Sequence, residues 1–180
     1  KEKIKAWVGS GGKLIAIKGA LEFFTDKEGF ALSRYSSKEE KKAREEREKK
    51  QDREALTIPY QERERQAISG QVLGAVFEVV MDTTHALGFG TKGKYYALKQ
   101  NEKRYGYLKE GVNAGIIPSM DQHRTGFIGY KAKLDIDNSL AFGIEVQEKG
   151  KIIYMVDNPI FRGFWEGGKL VLANAIFLVQ

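Results

Sequence analysis

Two short segments each pair a carboxylate with an imidazole, Asp82-Thr-Thr-His85 and Asp121-Gln-His123, and they hold both histidines of the 180-residue chain. If the two loops met, they could pool two carboxylates and two imidazoles around a metal ion. A carboxypeptidase-type zinc site asks for something else: His-x-x-Glu, a distant second His, and an open position for the reacting water. His85 is followed by Ala86-Leu87-Gly88 and His123 by Arg124-Thr125-Gly126, so neither carries the glutamate. Local turn and cap hydrogen bonding is the default chemistry for Asp-Thr-Thr-His. The chain has no cysteine, which removes disulfides, cysteine-ligated zinc and thiolate nucleophiles.

Gly88-Phe-Gly-Thr-Lys-Gly93 fits the spacing G-x-G-x-x-G, but a dinucleotide site needs a helix N-terminus next, and Lys94-Tyr-Tyr-Ala-Leu98 reads as a strand. Gly9-Ser-Gly-Gly-Lys13 is too short for a phosphate loop and puts Leu14 where a Ser or Thr would meet magnesium. At Ile17-Lys-Gly-Ala20 an apolar strand runs into a turn, the elbow that in α/β hydrolases exposes a nucleophile. Lys18, Gly19 and Ala20 offer neither thiolate nor activated hydroxyl, so the elbow is chemically empty, and no serine has an evident His and acid partner.

Lys92, Lys94, Lys99, Lys103, Arg104 and Lys109 interleave with Tyr95, Tyr96, Tyr105 and Tyr107. Such a pattern can bind single-stranded nucleic acid, yet a half-exposed strand produces it by alternation alone. With a net charge of +6 spread along the chain, nucleic acid is not the expected partner. The densest aromatic cluster is Phe161, Arg162, Phe164 and Trp165, which suits either a docking surface or the core beneath the last helix. Asp82, His85 and this cluster are the interaction candidates; no residue is assigned to catalysis, cofactor or metal.

The elements that would position these residues follow an α/β grammar. Ile4, Trp7 and Val8 lie at helical spacing before Gly11-Gly12; Leu14–Ile17 is a buried strand of the parallel kind; Ala20–Phe24 reads as a helix. Between 33 and 66 lies a charged helical insertion. Ser37 and Glu40 form a capping box, and 15 of the 17 residues from Lys38 to Glu54 are charged, leaving no apolar face to bury. Strands are expected over Gly74–Met81, Tyr95–Leu98 and Phe127–Tyr130. Phe142–Val146 and Ile152–Val156 form a hairpin across Gln147-Glu-Lys-Gly150, where Gly would supply positive φ. A closing helix ends near Leu178, and no apolar run reaches the roughly 18 residues of a membrane span.

Four segments in order, Gly11–Ile17, Gly74–Val79, Asp82–Gly90 and Gly150–Leu178, resemble the C-terminal glutamine-amidotransferase-like domain of some bacterial zinc carboxypeptidases. The resemblance spans roughly 4–24 and 68–178 and leaves out the charged insertion. It implies a single accessory domain over 1–180 with a flavodoxin-like, class-I-amidotransferase-like sheet, N-terminally incomplete because further strand–helix units would precede Lys1. It also implies a peptidase domain upstream as partner, zinc held there rather than here, and export to the periplasm or beyond. An uncovered sheet edge would then be paired by missing residues, a partner or a second copy. The competing expectation is a stand-alone binding module for peptide, carbohydrate or nucleic acid.

Overall fold

Helix α1 (Glu2–Gly9) carries Ile4, Trp7 and Val8 and stops before Gly11, whose φ of +114° no side chain favours. Strand β1 (Lys13–Ile17) follows, and the expected helix after it is a 3-10 turn, Lys18–Phe23. The computed structural model describes residues 1–180. Its remaining elements are α2 (Lys38–Thr57), α3 (Arg63–Ser69), β2 (Val72–Met81), β3 (Lys94–Lys99), β4 (Val112–Ile117), β5 (His123–Ile128), α4 (Tyr130–Ile136), β6 (Ser139–Gln147), β7 (Gly150–Met155) and α5 (Glu166–Phe177). The strands expected at Leu14–Ile17, Gly74–Met81, Tyr95–Leu98, Phe142–Val146 and Ile152–Val156 are present within a few residues, whereas of Phe127–Tyr130 only Phe127 and Ile128 belong to a strand and Tyr130 opens α4. Strand β4 and helix α4 carry no clear sequence signal of their own.

The result is a mixed α/β fold with flanking helices. The sheet runs β1-β7-β6-β4-β2-β3, with β5 beside β2. One pairing, β1 with β7, is parallel; the other five are antiparallel. Strand β1 stands at the end of this order, so its outer edge has no strand beside it. No helix is long and apolar enough to cross a membrane.

The central hairpin is buried on both faces, which is why β6 and β7 read as nearly unbroken apolar runs. Ile153 and Met155 face a core shared with Phe77, Phe142, Val171 and Ala175, under α5. Ile152 and Tyr154 face the opposite core, with Val8, Leu21, Phe24 and Leu32, under α1 and the chain after β1. In the hairpin turn Glu148, not Gly150, takes the positive φ, at 52°. Gly150 is needed for a different reason: a Cβ there would lie 1.9 Å from the carbonyl oxygen of Val8. Lys13 ties the first strand to the last helix by donating to the Ile176 carbonyl at 2.6 Å.

Helix α2 of the insertion is held to the rest of the chain by ion pairs and hydrogen bonds. Ser37 Oγ accepts from the Glu40 N–H at 3.0 Å, while the Glu40 carboxylate accepts from the Ser36 N–H at 2.7 Å. Arg104 donates to Glu40 at 2.7 Å, and Arg44 and Arg47 both pair with Asp135 of α4. Nothing in α2 is buried.

The sheet curls. Between β7 and β3 lie four strand spacings of about 4.8 Å, about 19 Å if flat. Yet Lys99, the last residue of β3, reaches Asp157, two residues past β7, at 3.1 Å, with Lys99 only 1% exposed. Removing one member of such a pair leaves a buried charge, at a cost on the order of 3–5 kcal/mol, whereas an apolar pair of similar volume is close to neutral. Chemical denaturation should therefore show Lys99→Met losing several kcal/mol, and Lys99→Met combined with Asp157→Leu recovering most of it; a single substitution costing under about 1 kcal/mol would remove the pair from its role in closing the sheet.

Candidate functional site

Asp82 follows β2 and turns back on itself: its Oδ1 accepts from the Thr84 N–H at 2.8 Å and hydroxyl at 2.6 Å. Those two bonds hold its carboxyl below the usual range. Nδ1 of His85 accepts from the Leu87 N–H at 3.1 Å and so caps the 3-10 turn Ala86–Gly88. With Nδ1 occupied as an acceptor, the neutral ring carries its proton on Nε2. Burial lowers the His85 pKa, the Asp82 charge opposes that, and Lys151 adds to the lowering. His123 sits on β5 against Phe77, ring centres 5.3 Å apart, and Asp121 belongs to a turn with Ser119. The two pairs do not come together, and no three His, Asp or Glu side chains form a metal-binding group.

The Gly88–Gly93 loop is structural. A Cβ at Gly88 would stand 2.0 Å from the Asp82 carbonyl oxygen. Buried Asn174 of α5 donates to the carbonyls of Leu87 at 3.0 Å and Phe89 at 2.8 Å, which moors the loop to the last helix. Nothing in its one-residue polar signature within an apolar helix marked Asn174 for this task.

Four of the six cations of the Tyr/Lys segment are paired within the fold. Lys94 pairs with Glu78, Lys99 with Asp157, Lys103 with Glu22 and Arg104 with Glu40. Tyr95 and Tyr105 are buried rather than offered for stacking, and burial raises both phenols, Tyr105 to about 12. Most of the segment's positive charge is thus met inside the fold, while Tyr96 remains exposed.

The aromatic cluster behaves as both of its expectations. Trp165 packs on the core beneath α5 and donates from Nε1 to the Tyr96 carbonyl at 2.7 Å. Phe164 stays 57% exposed, its ring 5.9 Å from Trp165 and 6.0 Å from Phe161. Arg162 adopts a left-handed φ of 50° and lays its guanidinium over Phe161 at 5.1 Å. Together Tyr95, Tyr96, Phe164 and Trp165 line a cleft of about 510 Å³, with Gly167 and Leu170 also in its wall. The charges at its mouth are already paired, Lys94 with Glu78 and Glu166 with Lys169, so its character is aromatic and neutral.

The elbow is present as a backbone feature. Lys18 takes φ 52° where β1 ends, and its Nζ donates to Gln100 Oε1 at 2.9 Å. Beside it one carboxylate, Glu22, accepts from Arg34 at 2.8 Å, Lys103 at 3.2 Å and the Tyr105 hydroxyl at 3.1 Å. These contacts, like Lys99–Asp157, join segments far apart in sequence and leave no local pattern to read. The chain matches no family model, no curated protein and no solved structure.

His85 gives a direct check of the first loop. Because its native pKa lies below the unfolded value near 6.5, its contribution to stability is complete above that value and is lost as pH falls through the native one. A ring titration by NMR should show a midpoint below 6.5, and Asp82→Asn, which keeps the Thr84 bonds but removes the charge, should lower it further. An upward shift in the variant would mean that the two side chains do not share this environment.

Proposed function

We propose that the chain is a non-catalytic accessory domain of a zinc carboxypeptidase, and that it docks polypeptide, foremost the peptidase domain, through the aromatic cleft beside α5. One observation carries the docking reading: Phe164, held largely in solvent, shares the lining of one cleft with the aromatic rings of Tyr95, Tyr96 and Trp165. Aromatic side chains in a neutral pocket are the anchors on which protein interfaces depend. The parentage rests on the four resembling segments, and the flavodoxin-like, amidotransferase-like class on the parallel β1–β7 pair with its elbow at Lys18; the five antiparallel pairings depart from such a sheet. On this reading zinc, the activated water and the glutamate base belong to the peptidase domain, the parent is exported, and the open edge of β1 is a second seat for a partner strand.

The coding region upstream of Lys1 tests the parentage. A His-x-x-Glu with a later His behind a signal peptide is expected, and the purified 180 residues should release no C-terminal amino acid from a peptide, with or without added zinc. A start codon at or just before Lys1 would hand the lead to the stand-alone binding module. With the peptidase domain produced separately, Phe164→Ala should weaken its binding to this chain at least tenfold, about 1.4 kcal/mol; equal binding would remove the cleft from the interface.

A further inference from the structure

Three chain segments far apart in sequence meet outside the carboxyl ends of the parallel pair β1 and β7: Lys18 and Gly19 after β1, Val156 after β7, and Asn101 with Lys103 after β3. Together with Tyr105 they line a cavity of about 220 Å³. In open α/β sheets the crevice beyond the carboxyl ends of parallel strands is where ligands sit.

The charge at this cavity is out of balance. Lys18 forms no ion pair, and its ammonium holds one hydrogen bond, to the neutral Gln100 amide. Lys103 and Arg34 divide the single carboxylate of Glu22 between them. Lys99, nearby in sequence, is fully neutralised by Asp157 and contributes no counter-charge. The cavity is lined by two lysines and no carboxylate; set against the Glu22 carboxylate that pairs with Lys103 from outside the lining, one positive charge is left over, with Asn101 in the same wall. Nor does the backbone explain Lys18. A φ of 52° is a conformation glycine adopts without steric cost, and Lys18 shares it with five other non-glycine residues of the chain.

We propose that this cavity binds a small oxyanion, a carboxylate or a phosphate, between Lys18 and Lys103, independently of the aromatic cleft. Its size excludes a nucleotide and suits one acidic group. The Lys18 ammonium, with two free hydrogens, and Lys103 in the same lining, one of whose hydrogens goes to Glu22, supply charge-assisted donors to the anion's oxygens.

The test is a titration of the ¹⁵N-labelled chain with sodium acetate and, separately, with inorganic phosphate, chloride holding the ionic strength constant. Saturable shifts confined to the amides of Lys18, Gly19, Asn101 and Lys103 are expected. Saturation in the acetate arm identifies a carboxylate site, and saturation in the phosphate arm a phosphate site. Lys18→Met should weaken binding at least tenfold. Lys18→Gly should unfold at or above the wild-type midpoint and yet lose the shifts, which separates recognition from support of the fold. No saturable shift in either arm of the wild-type titration overturns the proposal, as does a Lys18→Gly chain that binds like the wild type.

Discussion

A buried lysine and a buried aspartate set the shape of this molecule. Lys99 and Asp157 sit at the ends of strands that the sheet order places far apart, and their contact at 3.1 Å exists only because the sheet curls. Curling is made possible at the β2–β4 junction, which keeps just two paired positions, Val80 with Ile116 and Met81 with Gly115. It is completed along β2, where bulges flank the β5 pairing and Gly126 tucks in so closely that a Cβ would stand 2.2 Å from the Gly74 carbonyl oxygen. Once curled, the sheet encloses one core under α5 and presents the other to α1.

From that closure the two candidate sites follow. The Tyr95 side of β3 is carried up against the chain after β7, so that Trp165 can donate to the Tyr96 carbonyl and the aromatic cleft acquires walls. The same movement carries Gln100 and Asn101 over the end of β1, where Gln100 meets Lys18. Neither place is a property of one segment. Each is an intersection of loops that only the folded sheet aligns.

Polar contacts elsewhere do the work that apolar burial cannot. Helix α2 has nothing to bury, and it is fixed at its first half by Glu40, Arg44 and Arg47 reaching Arg104 and Asp135. Glu145, buried in β6, accepts from the Tyr154 hydroxyl at 2.6 Å and the Ala31 N–H at 2.8 Å, which seats the long connection after β1 on the second core. Buried carboxylates satisfied in this way hold irregular chain in place without a hydrophobic face.

Local pattern determined much of the element list. The periodicity at Ile4, Trp7 and Val8, the capping box at Ser37 and Glu40, and the double-faced apolar runs of the β6–β7 hairpin are short-range signals, because helix caps and strand pleats are short-range physics. The aromatic cluster was legible too, as composition, and so was the self-contained turn of Asp82 and His85. Beyond the β6–β7 hairpin and the parallel character of β1, tertiary structure alone decided which strands pair and in which direction, since an apolar run carries no mark of its distant neighbour. It alone decided that Lys94, Lys99, Lys103 and Arg104 of the Tyr/Lys segment would be paired, because their carboxylates, Glu78, Asp157, Glu22 and Glu40, come from four other parts of the chain. And it left Lys18 as a cation without a carboxylate, for charge pairing is settled by distance in space and not by distance along the sequence.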